Sequence, residues 1–580
     1  MSPHAAARPF TAPPAQHEAG ALPAPRHHHL ATYLREAAAR HGDRAAFTTC
    51  LPNGMFGSLT FAEADRRSDA FAAWLRLEVG LGQGARVALM TPNALAYPIV
   101  AFGTLKAGCT LVNVNPLYTS AELDHQLRDS GAEVLVVVDM FADRVAGAPA
   151  ATRLRRVVTC EVTEGFSPVP RAVVRLVQRV WDRALPAVEV RHERLARVLR
   201  AGEARLRDGA EPSRWIEGQG PGTLAALQYT GGTTGVSKGA MLSHGNLLAN
   251  VEQIRAVAEG HTVEGEECVL TALPLYHVFA FTANLLSFYG AGAHNVLAPS
   301  PRPIQNLRRA FENYPITWVT GVNTLFNALL NEEWFTAFPP RTLKAAVAGG
   351  AALQGAVAER WARVTGTRIA EGYGLTEASP VVTFNPLSGE ARRDSIGVPV
   401  PGTSVRLLDD EGIVVQRGEP GELCVSGPQV MSGYFGRPDE SAKVLRDGWL
   451  HTGDVATMDE DGFLRIVDRK KDMVIVSGFK VFPNEVEDVI ARMDAVLECA
   501  VVGVPDPATG EQVRAYVVAQ DPALSPEAVR AHCARSLTSY KVPKVVELRT
   551  ELPKSPIGKV LRKELRAEHL RSLASGGLPC

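Results

Sequence analysis

The sequence predicts an α/β protein with a large N-terminal region of several subdomains, a β-rich section near its end, and a smaller α+β region after it. Three observations carry this. From Thr32 to about Asp139, amphipathic helical patterns such as Ala62 to Leu77 alternate with short β-branched runs, Arg86 to Met90 and Glu133 to Val138. That alternation is the pattern of strands joined by crossover helices, and it returns after Gly222. Beyond Gly402 the rhythm changes to short strands separated by glycine-containing turns (Val405 to Leu408, Gly421 to Val425, Gly462 to Val467), which predicts an antiparallel section. From Asn484 onward helix and strand alternate again.

A chain of 580 residues exceeds what one hydrophobic core fills, so more than one packed unit is expected. Hydrophobic residues make up 46% and charged residues 21%, the balance of a folded soluble protein. The charged run Asp468-Arg469-Lys470-Lys471-Asp472 is the best cut, dividing residues 30–467 from 468–580. Residues 1–29, rich in Ala, Pro and His, read as a disordered tail. The adjacent His27, His28 and His29 read as part of it rather than as a metal site.

The formal net charge of −1 offers no global field for nucleic acid, and no nucleic-acid partner is expected. The eight cysteines are scattered without a C-x-x-C pair, which fits free thiols in a reducing compartment. With no apolar run of spanning length and no secretory signal, the expected location is cytoplasmic.

Between Arg171 and Leu185 the arginines 171, 175, 179 and 183 recur every four residues, while Val173, Val174, Leu176, Val177, Val180, Trp181 and Leu185 fill the opposite side. This predicts a basic amphipathic helix. It either packs its apolar side on its own domain with a solvated arginine face, or lies on the inner face of the cytoplasmic membrane as a peripheral contact.

Four stretches carry chemistry. Tyr229-Thr230-Gly231-Gly232-Thr233-Thr234-Gly235-Val236-Ser237-Lys238-Gly239 follows an apolar strand and combines glycines, hydroxyls and a lysine, the makings of a phosphate cradle. It does not fit G-x-x-x-x-G-K-[ST], and a flexible linker is its alternative. Glu371-Gly372-Tyr373-Gly374-Leu375-Thr376-Glu377 supplies an aromatic face for a base, a hydroxyl for a phosphate and a carboxylate for Mg²⁺. Trp449-Leu450-His451-Thr452-Gly453-Asp454 places a carboxylate where it can accept from ribose hydroxyls, or simply form a turn. Leu552-Pro553-Lys554-Ser555-Pro556-Ile557-Gly558-Lys559-Val560 presents Lys559 after a Pro/Gly-rich loop, where a cation could be delivered to a phosphate; alone, it reads rather as a surface lysine.

Taken together and in order from about Thr32 to Arg566, these stretches resemble the adenylate-forming (AMP-binding) superfamily, and within it the bacterial long-chain fatty acid–coenzyme A ligases. The run DGWLHTGDVATMDEDGFLRIVDRKK, Asp447 to Lys471, resembles the fatty-acyl-CoA-synthetase signature. Ala272-Leu273-Pro274-Leu275-Tyr276-His277-Val278-Phe279 resembles the aromatic motif beside the acyl site. Ala456, Met458 and Glu460 depart from that signature, where Gly, Trp and Pro are common.

The resemblance implies the adenylate-forming fold with a mobile C-terminal lid, and an acid–thiol ligase using ATP, Mg²⁺ and the co-substrate coenzyme A on a fatty acid. Residue by residue it implies that Thr230, Gly231, Gly232, Thr233, Thr234, Gly235 and Lys238 hold the leaving pyrophosphate, and that Thr376 meets the phosphates. Glu377 would hold Mg²⁺, Tyr373 the adenine, and Asp454 with Arg469 the ribose, with Gly350 and Gly374 also binding the nucleotide. His277, Phe279 and Gly349 would line the acyl site, with His277 gating or packing rather than acting as a base. Lys559, with Glu377 and Thr230, would be catalytic. Asp468 would be the hinge, and Gly478 in Ser477-Gly478-Phe479 would face the coenzyme A channel. A ligase for an aromatic or short acid, one loading a carrier protein, and a membrane-bound lipid-handling protein without turnover remain alternatives. Pairing of two copies is left open.

Overall fold

The structure is a computed structural model that describes residues 16–230, 237–388, 392, 394–477, 479–555 and 558–574. Two large sheets form the N-terminal region. In one, strands Thr110–Asn113, Arg86–Met90, Val134–Val138 and Arg156–Cys160 lie parallel, with Leu224–Thr230 beside Thr110–Asn113 and Lys238–Ser243 returning antiparallel. Val134–Val138 is buried along its whole length, as a parallel strand covered on both faces must be. The second sheet runs parallel from Ala45–Cys50 through His294–Leu297, Cys268–Thr271, Trp318–Gly321 and Ala345–Ala348 to Ile369–Gly374, where Val381–Phe384 turns back antiparallel.

Helix Ala96–Lys106 is buried on every side and helps join the two sheets into one core. The amphipathic helix Phe61–Ala73 packs on it and starts with a capping box, Thr60 and Glu63 each satisfying the other's backbone N–H. The predicted antiparallel section is a third sheet built on Ser404–Leu408, Gly421–Ser426, Trp449–Met458 and Leu464–Arg469. The last predicted strand starts later than expected because Gly462, at φ +86°, belongs to the turn before it. The chain leaves this sheet after Arg469 and enters the smaller C-terminal sheet at Val474, whose long hairpin Val496–Asp506 and Gly510–Ala519 is covered by helices Pro483–Ile490 and Arg562–Ala574.

Two expectations are corrected. Residues 16–29 are not a loose tail: His17–Glu18 pair with Ser404 and Val405, and the Gln16 side chain bonds Val415 and Leu407 of the backbone. His29 is buried; its Nδ1 accepts from the Ala31 N–H, capping helix Leu30–His41, so Nε2 carries the proton that goes to Gln219 Oε1 at 2.9 Å. Such a histidine is a neutral structural group, and burial holds its pKa down.

The second correction concerns packing of the basic helix, which spans Pro168–Val180. Its polar edge faces the protein: Arg171 pairs with Glu161 at 2.8 Å, Arg175 also pairs with Glu161, and Gln178 reaches Met140. Val174 alone of its side chains is buried, and the apolar side is turned outward. Buried carboxylates need cations more than the core needs another valine stripe, which fixes the orientation. Among the described residues no helix is long and apolar enough to cross a membrane.

Candidate active site

The Gly/Thr-rich segment joins the end of Leu224–Thr230 to Lys238–Ser243, with Thr230 opposite Lys238. Gly231, Gly232, Thr233, Thr234 and Gly235 lie outside the described residues, so the site is read from the rim. There Tyr229 donates to Asp129 at 2.8 Å, and Arg437 bonds the other oxygen of Asp129 at 2.8 Å, fixing the strand on which the loop is mounted. Lys238 is held by Glu440 at 2.5 Å and lies over the ring of Tyr434.

Strand Ile369–Gly374 brings Tyr373 to Asp454: the phenol donates to Oδ2 at 2.5 Å, while Arg469 holds Oδ1 at 3.1 Å. Asp454 and Arg469 are neighbours across the Trp449–Met458 and Leu464–Arg469 pair, so one ladder positions both. The expected base and ribose residues therefore form one cluster. The turn after Gly374 is tight, since a Cβ there would lie 2.1 Å from the Pro380 carbonyl oxygen. Thr376 opens that turn, and Glu377 Oε1 accepts from the Tyr434 hydroxyl at 2.6 Å.

Gly349 and Gly350 follow strand Ala345–Ala348, and Gly350 sits at φ +80°. A Cβ on Gly349 would stand 3.0 Å from the ring of Phe279 and 3.2 Å from the Gly372 oxygen, so the aromatic motif, this loop and strand Ile369–Gly374 meet there. Glu371 accepts from the Leu353 N–H at 3.1 Å, and burial pushes its carboxyl up to about 8, leaving it protonated at neutrality.

His277 precedes the π-type helix Ala280–Phe288, which is buried throughout. Its pKa is pushed down to about 4, by burial first and then by the charge of Lys559. It is thus neutral across the physiological range. Replacing His277 by Asn is expected to leave no inflection missing from the pH profile of adenylate formation between about pH 6 and 8. An inflection near its ordinary value of about 6.5 that vanished in the variant would overturn this.

The C-terminal region delivers Lys559. Ser555 and Lys559 close a small loop, N–H to carbonyl at 2.8 Å, and the Gly558 oxygen accepts from Thr324 of the large region at 3.2 Å. Gly558 has φ +90°, and a Cβ on it would meet Thr324 and Arg302, so glycine permits the docking. Burial chiefly, together with Arg469 and opposed by Asp454, brings the Lys559 ammonium down to about 8. It has no ion-pair partner among the described residues.

Asp468 is fully buried and accepts from the N–H groups of Arg469 (2.7 Å) and Asn484 (2.9 Å) and from Arg562 (3.2 Å). Gly478 lies outside the described residues; its neighbour Phe479 is exposed and stacks on Tyr540. The sequence reading missed Asp129, Tyr434, Arg437 and Arg562. Only Arg562, three residues after Lys559 at the start of the last helix, carried a local hint.

Residues 34–435 match the family described as AMP-binding enzyme, and residues 485–559 match the AMP-binding enzyme C-terminal domain. A long-chain-fatty-acid–CoA ligase of Yersinia pestis is 48% identical over 550 residues, covering 94% of this chain and 95% of the relative. The protein of the same name from an O6:H1 strain of Escherichia coli is 47% identical over 543 residues, with 94% and 95% covered. Among solved structures, an anthranilate CoA ligase in complex with anthranoyl-AMP superposes with TM-score 0.81 at 25% identity, covering 95% of this chain and 99% of that one. With the fold, the two matched regions and the clustered residues in agreement, the chain belongs to the AMP-binding enzyme family, the adenylate-forming enzymes.

Proposed function

We propose that the chain is a long-chain fatty acid–CoA ligase, converting ATP, fatty acid and CoA to acyl-CoA, AMP and pyrophosphate through an acyl-adenylate. The observation that carries the reading is the partly buried ammonium of Lys559, which has no ion-pair partner among the described residues and lies within the fields of Asp454, Arg469 and His277. A partly buried cation without a carboxylate partner among the described residues fits a site whose anion arrives as substrate. The names and extensive coverage of the relatives support the acid and the acceptor.

In the first half-reaction a carboxylate oxygen attacks the α-phosphorus of ATP and the bond to the bridging oxygen breaks, releasing pyrophosphate. Lys559 neutralises charge that grows on the α-phosphate oxygens, Thr230 and Lys238 with their loop hold the leaving group, and Thr376 meets the phosphates. Tyr373 with Gly350 and Gly374 borders the base, and Asp454 with Arg469 takes the ribose. Glu377 fits Mg²⁺: Tyr434 occupies one oxygen, the other has no hydrogen-bond partner among the described residues, and Mg²⁺ needs few carboxylates when phosphates complete its shell. When bound, the ion screens the triphosphate charge.

In the second half-reaction the thiol sulfur attacks the acyl carbonyl and AMP leaves. A lid comprising residues 468–580 turns about Asp468, withdrawing Lys559 from residues 30–467 and bringing the loop of Gly478 to the coenzyme A channel. His277, Phe279 and Gly349 border the acyl tail. Cytoplasmic location with peripheral membrane contact through residues 171–185 completes the reading, supported by the outward apolar side of that helix.

Pyrophosphate release measured across a panel of acids, with coenzyme A or a carrier protein as acceptor, tests this. Long-chain acids with coenzyme A are expected to give kcat/KM at least about tenfold above acetate or benzoate, since each buried methylene contributes about 1 kcal/mol. A preference for benzoate, or transfer to carrier only, would reassign the substrate.

A further inference from the structure

Among the described residues, exposed large apolar side chains gather on the outward side of helix Pro168–Val180. Val169, Val173, Leu176, Val177, Val180 and Trp181 account for six of the seventeen exposed large hydrophobic side chains among the described residues. They recur at helical spacing on one face, and Trp181 is 83% exposed. A contiguous stripe of this kind marks a surface that meets something apolar.

What it meets follows from the charge around it. Between residues 167 and 207 stand ten arginines and only four acidic residues, although the whole chain carries a formal net charge of −1. Arg171 and Arg175 are committed inward to Glu161. Arg179 and Arg183 flank the stripe, exposed. At the root of the helix a cavity of about 400 Å³ is lined by Arg171, His192, Glu193, Arg194, Arg197 and Arg200. Glu193 is engaged by Arg156 at 3.5 Å, while Arg194, Arg197 and Arg200 form no ion pair with a described residue. A protein partner would leave such a dense set of like charges to be matched one by one, whereas a sheet of anionic headgroups matches them collectively.

We infer that this helix and the arginine cavity at its root form one docking surface for an anionic lipid bilayer, the apolar stripe entering the acyl boundary and the cavity taking a phosphodiester headgroup. This rests on the peripheral contact proposed above and adds the recognition of lipid charge. The helix lies in the interface with Trp181 at its end, and Arg194, Arg197 and Arg200 reach phosphates beside it.

Flotation of the full chain with vesicles tests it, comparing phosphatidylcholine alone with phosphatidylcholine containing phosphatidylglycerol. Binding is expected to favour the anionic vesicles and to weaken as salt is raised. The triple substitution Arg194→Gln, Arg197→Gln, Arg200→Gln is expected to lower anionic binding on the order of 100-fold, the product of about fivefold for each arginine near such a surface. The pair Leu176→Ser, Trp181→Ser is expected to lower binding to either vesicle at least about tenfold. Inorganic phosphate is expected not to release the protein at matched ionic strength; release would place a free-phosphate site in the cavity and overturn lipid recognition. Equal binding to both vesicles, unaffected by the arginine substitutions, would overturn the charge recognition while leaving the peripheral contact standing. Absence of binding to either would remove both. Adenylation of a short, water-soluble acid checks that the variants are folded.

Discussion

Replacing Lys559 by alanine is expected to lower acyl-adenylate formation by about 10²–10³-fold while sparing thioester formation from supplied acyl-adenylate. The magnitude is that of one electrostatic contact made to charge that develops in the transition state. The division of labour follows from position: Lys559 sits on a loop docked through Gly558 onto Thr324, and the proposed second half-reaction takes that loop elsewhere. A pH signature accompanies it. The protonated form is the active one, and burial has brought the free enzyme's ammonium down to about 8. Accordingly kcat/KM for ATP falls as pH rises through that region, and the fall disappears in Lys559→Ala. Equal loss of both half-reactions, or an unaltered alkaline limb in the variant, would remove Lys559 from this role.

The parts of this site visible in the sequence are those whose chemistry is local. Tyr373 to Glu377 is a strand and a turn whose glycine, hydroxyl and carboxylate stand within five positions, and Asp454 and Arg469 are recognisable because one hairpin ladder brings them opposite each other. The supports were invisible because their partners are distant: Asp129 meets Tyr229 across 100 residues and Arg437 across 308, and Tyr434 reaches Glu377 across 57. His29 failed as tail for the same reason, since Gln219 and His244 give it a pocket that no neighbouring residue announces. In the helix Pro168–Val180 the period was legible but not which side meets the protein. Periodicity defines two faces, and the choice was made by Glu161 and Glu164, carboxylates buried beneath it that attract Arg171.

Arg562→Leu is expected to destabilise the C-terminal region by about 3–5 kcal/mol, the cost of leaving buried carboxylates without their cation. Arg562 bonds Glu487 at 2.9 and 2.6 Å, Asp468 at 3.2 Å and Asn484, so it ties the last helix both to helix Pro483–Ile490 and to Asp468, the proposed hinge. Even with Arg562 present, burial raises Asp468 to about 6. A carboxyl whose native pKa lies above its unfolded value of about 4 binds more protons folded than unfolded between the two, so its contribution to stability is lost as pH rises through that window. Removing Arg562 pushes Asp468 higher still and deepens that loss. Denaturant unfolding should therefore show a larger penalty at about pH 8 than at about pH 5, where Asp468 is protonated in both proteins. Because Lys559 lies three residues before Arg562, the variant should also lose adenylation with Lys559 intact, and Arg562→Lys should restore part of the stability but less of the rate, since an ammonium lacks the fork that reaches Glu487 and Asp468 together. A penalty independent of pH would mean that the Asp468 carboxylate does not depend on this arginine.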